Sequence, residues 1–101
     1  MIWTVNYVGQ ARKTLKKGSK ILSKDAHDAL EALHLDLEKG GPDQSSWPNY
    51  GKLKNQGKGL DRRHCHLIRG KPTYVACWES KDPKNKLLEV YYVGTHEKAP
   101  Y

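Results

Sequence analysis

In the stretch Leu60-Asp61-Arg62-Arg63-His64-Cys65-His66-Leu67, a strand period of two puts Arg62, His64 and His66 on one side and Cys65 and Leu67 on the other. Two imidazoles beside a guanidinium are the groups that cleavage of an RNA backbone calls for. A general base takes the proton of a ribose 2′-OH, a cation stabilises the phosphorane-like transition state, and an acid protonates the leaving 5′-oxygen. Histidine suits the proton transfers because its ordinary pKa lies near neutral pH, and arginine and lysine suit the phosphate because they stay charged. That scheme needs no metal and no other cofactor. Lys52, Lys54 and Lys58, from the preceding strand and turn, are expected to join the same open face.

Plainer readings stand beside this one. A histidine on a strand is commonly structural or simply exposed. His64 and His66 with Cys77 or His96 also make a candidate zinc set, although the paired-cysteine spacing of structural zinc sites is missing. The balance of charge favours a polyanionic partner: 18 Lys and Arg against 11 Asp and Glu give a net charge of +7. A basic soluble protein whose lysines form a solvated face has the same balance.

The elements that must position these groups follow from the rest of the chain. Its 101 residues suffice for one domain with one core, expected over residues 1–101. Met1 to Tyr7 alternates as a half-buried opening strand does. Val8, Ala11 and Leu15 then share the face of a short helix whose wet side is Arg12, Lys13, Lys16 and Lys17, ended by Gly18. Ser23 caps a longer helix with an apolar stripe of Ala26, Ala29, Leu30, Leu33 and Leu37, closed by Gly40-Gly41-Pro42. A loop through Asn49 precedes strands expected over 50–55, 60–69, 73–79 and 87–93, with the last two joined by the turn residues Asp82-Pro83-Lys84-Asn85. The tail from Gly94 is too short and Pro-interrupted for a helix. Strand, helix, helix and consecutive strands predict an α+β domain, with a helical hairpin on one face of a small, mainly antiparallel sheet and the other face free. The two cysteines, Cys65 and Cys77, are expected as reduced thiols. Without a membrane-length apolar run or a signal-peptide pattern, the expected location is the cytoplasm.

The runs Gly70-Lys71-Pro72-Thr73-Tyr74-Val75-Ala76-Cys77-Trp78-Glu79 and Leu88-Glu89-Val90-Tyr91-Tyr92-Val93-Gly94-Thr95-His96-Glu97-Lys98-Ala99-Pro100-Tyr101 resemble the second half of the RelE/ParE toxin superfamily. A penultimate strand closing on Val-Gly, then a basic residue and a terminal Tyr, is similar to that family's ending. The resemblance implies a compact sheet backed by two N-terminal helices. It implies the toxin of a type II toxin–antitoxin pair, an endoribonuclease that cuts mRNA at the ribosome until a cognate antitoxin blocks it in a hetero-oligomer. It also implies that Tyr101 stacks on a base or helps proton transfer, as the family's functional tyrosine is proposed to do. His96 stands where RelE has an arginine, and His64 and His66 where it has alternating lysines. These departures bring the chain nearer to members that use histidine acid–base chemistry, with Arg62 on the phosphate. The arginine common in the family's next strand is replaced by Tyr74 or Thr73, which leaves Arg63 or Lys54 to supply charge and Tyr74 as a further RNA contact. The alternatives are a ParE-like inhibitor of DNA gyrase, which needs no acid–base constellation, and a non-catalytic basic RNA-binding module.

Overall fold

The opening alternation makes a short strand, β1 (Thr4–Tyr7), whose Val5 and Tyr7 pack on the core. The computed structural model describes residues 2–101, the side chain of Ser19 excepted. The expected start of β1 at Met1 therefore lies outside the described residues, and Ile2 and Trp3 precede the strand.

Helix α1 (Gly9–Lys17) buries Ala11 and Thr14 and turns Arg12, Lys13, Lys16 and Lys17 to water. Its polar residues fasten it to the sheet: the Gln10 carboxamide both donates to the Val93 carbonyl and accepts from the Val93 N–H, each at 3.0 Å, and Thr14 Oγ1 donates to the same carbonyl at 3.1 Å. After one 3-10 turn (Gly18–Lys20) comes α2 (Lys24–Gly40). Its N-cap is the expected Ser23, whose hydroxyl accepts from the Ala26 N–H at 3.2 Å. Ala26, Leu30, Leu33 and Leu37 form its buried stripe. Gly41 ends it at φ 79°, and a Cβ there would lie 2.7 Å from the Trp3 ring, so both backbone and packing demand glycine.

The remaining strands are β2 (Gly51–Lys52), β3 (Arg62–Ile68), β4 (Tyr74–Asp82) and β5 (Leu87–Thr95). The sheet order is β1-β5-β4-β3-β2, with β1 parallel to β5 and every other pair antiparallel. Both helices cover one face, where Leu30, Leu33 and Leu37 meet Cys65, Leu67, Ala76, Trp78 and Val90. This is the α+β arrangement expected.

Several boundaries differ. The strand expected over 50–55 is shorter: Gly51 and Lys52 pair with β3 and the Leu53 N–H donates to the Arg62 carbonyl at 2.7 Å, before Asn55 (φ 59°) and Gly57 (φ 128°) turn the chain away. β3 correspondingly begins at Arg62, while β4 and β5 run on to Asp82 and Thr95. Between them Asp82 caps a single 3-10 turn, accepting from the Asn85 N–H at 3.2 Å. The tail contains one 3-10 turn, His96–Lys98.

The second face is not free, as the sequence pattern implied. Val75, Cys77 and Tyr92 are buried there, with Tyr91 and Ala99 packed against them. A bulge in β5 brings both tyrosines there: Cys77 pairs with Tyr92 and Trp78 with Val90, so Tyr91 is the extra residue and both join one cluster, which Ala99 covers. Cys65 and Cys77 are free and lie in the clusters on opposite sides of the sheet.

Candidate active site

The alternation of β3 carries His64 and His66 onto the face away from the helices, His64 opposite Cys77 and His66 opposite Val75. The tail then brings two more groups to them. Tyr92 Oη donates to the Thr95 carbonyl at 2.7 Å, and the His96 N–H donates to the Thr73 carbonyl at 2.8 Å. Gly94 lies inside this bend, where a Cβ would come within 2.8 Å of Tyr92 Oη. The 3-10 turn that follows folds Ala99 to Tyr101 back over the face. The His64 and Tyr101 rings lie 4.7 Å apart between centroids, His66 and His96 5.4 Å, and His96 and Tyr101 6.1 Å. Four of the five residues expected to carry chemistry are thus one cluster.

Its electrostatics favour neutral imidazoles on β3. Burial, then the neighbouring His66 and His96, hold His64 below the usual histidine range. For His66 the causes are burial, His96 and Arg69, in that order. Among the described residues the Nδ1 atoms of both rings are buried without a hydrogen-bond partner, so a second N–H on either ring would lack an acceptor there. Burial, with the nearby Cys77 and Cys65 thiols, pushes the Tyr101 phenol up to about 12. At neutral pH it is a hydrogen-bond donor and not a base.

The expected cations behave differently. Arg62 shares the histidine face, but its Nε donates to Glu79 at 2.8 Å and its guanidinium lies 4.7 Å from the centre of the Tyr91 ring. Arg63 points to the other side and is held by two bonds to Asp61 and one to Tyr50 Oη. Lys52 pairs in register with Arg63 rather than with a histidine and lies 3.7 Å from Asp61. Lys54 and Lys58 sit in the exposed turn before β3. Tyr74 is in the helix-side core and donates to the Ile21 carbonyl, so it corrects the expectation of an RNA contact. Its parity with Ala76 and Trp78 along the strand is the signal that assigns it there.

Two cations missing from the expected set lie near His66. An open cleft of about 620 Å³ runs beside His66 and His96 and is walled by the turn Gly70–Thr73. Lys71 lines it, and Arg69 is close enough to His66 to depress its proton affinity. Both side chains are exposed. A basic turn directly after a histidine strand was the available sequence sign. As for metals, the ligand atoms that gather among the described residues belong to His27, Asp28 and Glu31 on α2, not to the zinc set considered above. No helix among them is long and apolar enough to cross a membrane.

No protein-family model matches the sequence, and no curated protein matches it significantly. Among solved structures, a chain in the crystal structure of the E. coli DinJ-YafQ toxin-antitoxin complex is similar at a TM-score of 0.71 and 24% identity, over 100% of each chain. The likeness runs end to end, and the RelE-like fold that the resemblance implied is the fold this sequence adopts.

Proposed function

We propose that residues 1–101 act as a single toxin domain of a type II toxin–antitoxin pair: a metal-independent endoribonuclease that cuts mRNA at the ribosome in the cytoplasm. The observation that carries this reading is the meeting of His64, His66, His96 and Tyr101 on one face of a chain of net charge +7. The shared fold with a chain of a toxin-antitoxin complex supports the toxin role and a cognate antitoxin as partner. A partner with acidic groups would suit so basic a chain.

In this reading His66, kept neutral by its surroundings, takes the 2′-OH proton. The 2′-oxygen then bonds to phosphorus as the bond from phosphorus to the 5′-oxygen breaks. Exposed His96 gives its proton to that oxygen, leaving a 2′,3′-cyclic phosphate and a 5′-hydroxyl. Arg69 and Lys71 offset the charge gathered on the phosphate. Tyr101, protonated and held against His64, stacks on a base or donates to the phosphate. Arg62, expected from the sequence to bind phosphate, has its Nε on Glu79 and would reach the phosphate through its terminal N–H groups.

Induced expression with mapping of mRNA ends tests the reading, comparing the intact chain with His64→Ala, His66→Ala, His96→Ala and Tyr101→Ala. Translation-dependent cuts with 5′-hydroxyl ends, lost in the variants while folded protein persists, are expected. Growth arrest without cleavage would move the assignment to a gyrase-directed toxin, and tight RNA binding without products or arrest to a binding module.

A further inference from the structure

Three of the five histidines meet on the second face of the sheet. The other two, His27 and His34, both stand on α2, which covers the opposite face. Each has a glutamate four residues on: His27 Nδ1 lies 3.5 Å from Glu31 Oε1, and His34 Nε2 lies 3.5 Å from Glu38 Oε2. Residues four apart are neighbours on a helix, so spacing alone accounts for both pairs. Their surroundings separate them. His34 has its other nitrogen 2.9 Å from Tyr7 Oη and its ring stacked on the Tyr7 ring, so both nitrogens have partners and the residue fastens α2 to β1. His27 stands instead between two open hollows, one of about 430 Å³ shared with Glu31 and one of about 350 Å³ shared with Ser23 and Lys24. There Asp28 supplies a third ligand atom: a His27 nitrogen, an Asp28 oxygen and a Glu31 oxygen all lie within 4.8 Å of one another.

We propose that His27, Asp28 and Glu31 bind a divalent cation of the zinc class on the first turns of α2. Bonds of about 2.0–2.2 Å to nitrogen and oxygen put the ligands of a tetrahedral zinc ion about 3.4 Å apart, and His27 and Glu31 already have that separation. Asp28 adjoins both on the helix surface and closes on the ion by a change of rotamer. The imidazole nitrogen sets this group apart from a patch of acids, which would prefer the oxygen-seeking magnesium and calcium. Water fills the remaining position from the open side. The contact that opposes binding is the ion pair of Lys24 with Asp28 Oδ2 at 2.9 Å. Its side chains are 86% and 56% exposed, so the pair holds weakly, and the second Asp28 oxygen stays available. The bound ion would clip the start of α2 on the side away from His64, His66 and His96, and the site is independent of the RNA-cutting role.

The test titrates zinc chloride into the metal-free full chain, followed by calorimetry and backbone amide shifts, with magnesium chloride as the comparison. One equivalent of zinc is expected to bind, with shifts at His27, Asp28 and Glu31. His27→Ala and Glu31→Ala should each weaken binding at least about tenfold. His34→Ala removes a histidine of the same spacing but without a third ligand beside it, and should leave the affinity within about twofold. His27 and Glu31 are at the surface, so these variants keep the fold, and unchanged amide spectra away from α2 serve as the check. No zinc binding by the intact chain, or an equal response to magnesium, would overturn the site. So would zinc binding that is undiminished in His27→Ala, with shifts at His64, His66 or His96 in place of α2.

Discussion

The two faces of the sheet treat their polar groups in opposite ways. On the helix side nearly everything polar that is buried is satisfied within the protein. Trp78 Nε1 donates to the Pro42 carbonyl at 3.0 Å, Trp47 Nε1 to Asp36 at 2.8 Å, and Gln44 bridges the carbonyls of Asp36 and Gly41. On the other side His64 Nδ1 and His66 Nδ1 are buried with no partner among the described residues, although each unmade bond costs of order 1–3 kcal/mol. A surface serving stability alone would have no reason to retain two such groups in one cluster. On the proposed function, the contrast separates the part of the chain that holds the fold from the part that would meet RNA.

The largest effect expected from breaking that contrast is on the helix side. Trp78→Ala removes the largest fully buried side chain and should cost about 3–5 kcal/mol, a large share of a small domain's stability, read by denaturant unfolding. Next comes the bend that joins the faces. Gly94→Ala sets a methyl 2.8 Å from Tyr92 Oη, so a loss of about 1–3 kcal/mol should accompany a displaced tail and weakened cleavage.

Two smaller effects concern the histidines. Because His64 and His66 have lowered proton affinities in the folded chain, the unfolded chain binds more protons as pH falls below the ordinary histidine value of about 6.5. Their contribution to stability is therefore complete above that value and is lost as pH drops through the depressed folded values. Stability curves between pH 7 and 5 should show this slope, and the double variant His64→Leu/His66→Leu should flatten it. The smallest change is expected from His64→Leu alone at pH 7, which removes an orphaned polar atom and should leave stability within about 0.5 kcal/mol or raise it, while cleavage falls.

The alternation of β3 was legible because one strand with Cys65 and Leu67 on its apolar side determines where Arg62, His64 and His66 go. The long helix was equally legible from Ser23, its leucine stripe and Gly41. The arrival of His96 and Tyr101 was not readable from periodicity, since it depends on the Tyr92–Thr95 and His96–Thr73 contacts, and only the family resemblance pointed to them. Charge was the least legible property. Arg62, Arg63 and Lys52 look alike in sequence, yet Glu79 and Asp61 lie beside them, while at the next turn Lys71 lines the cleft and Arg69 acts on His66. The bulge at Tyr91 and the cover that Ala99 gives the second face likewise depend on tertiary pairing that a strand pattern does not encode.

The most direct test of the account is a paired measurement on purified His66→Ala and His96→Ala: single-turnover cleavage of mRNA on translating ribosomes alongside the melting temperature. The account predicts a loss of about 10²–10⁴-fold in rate for each with no fall in melting temperature, and a rising limb of the wild-type pH profile below the ordinary histidine range. Unchanged cleavage in both variants would contradict it.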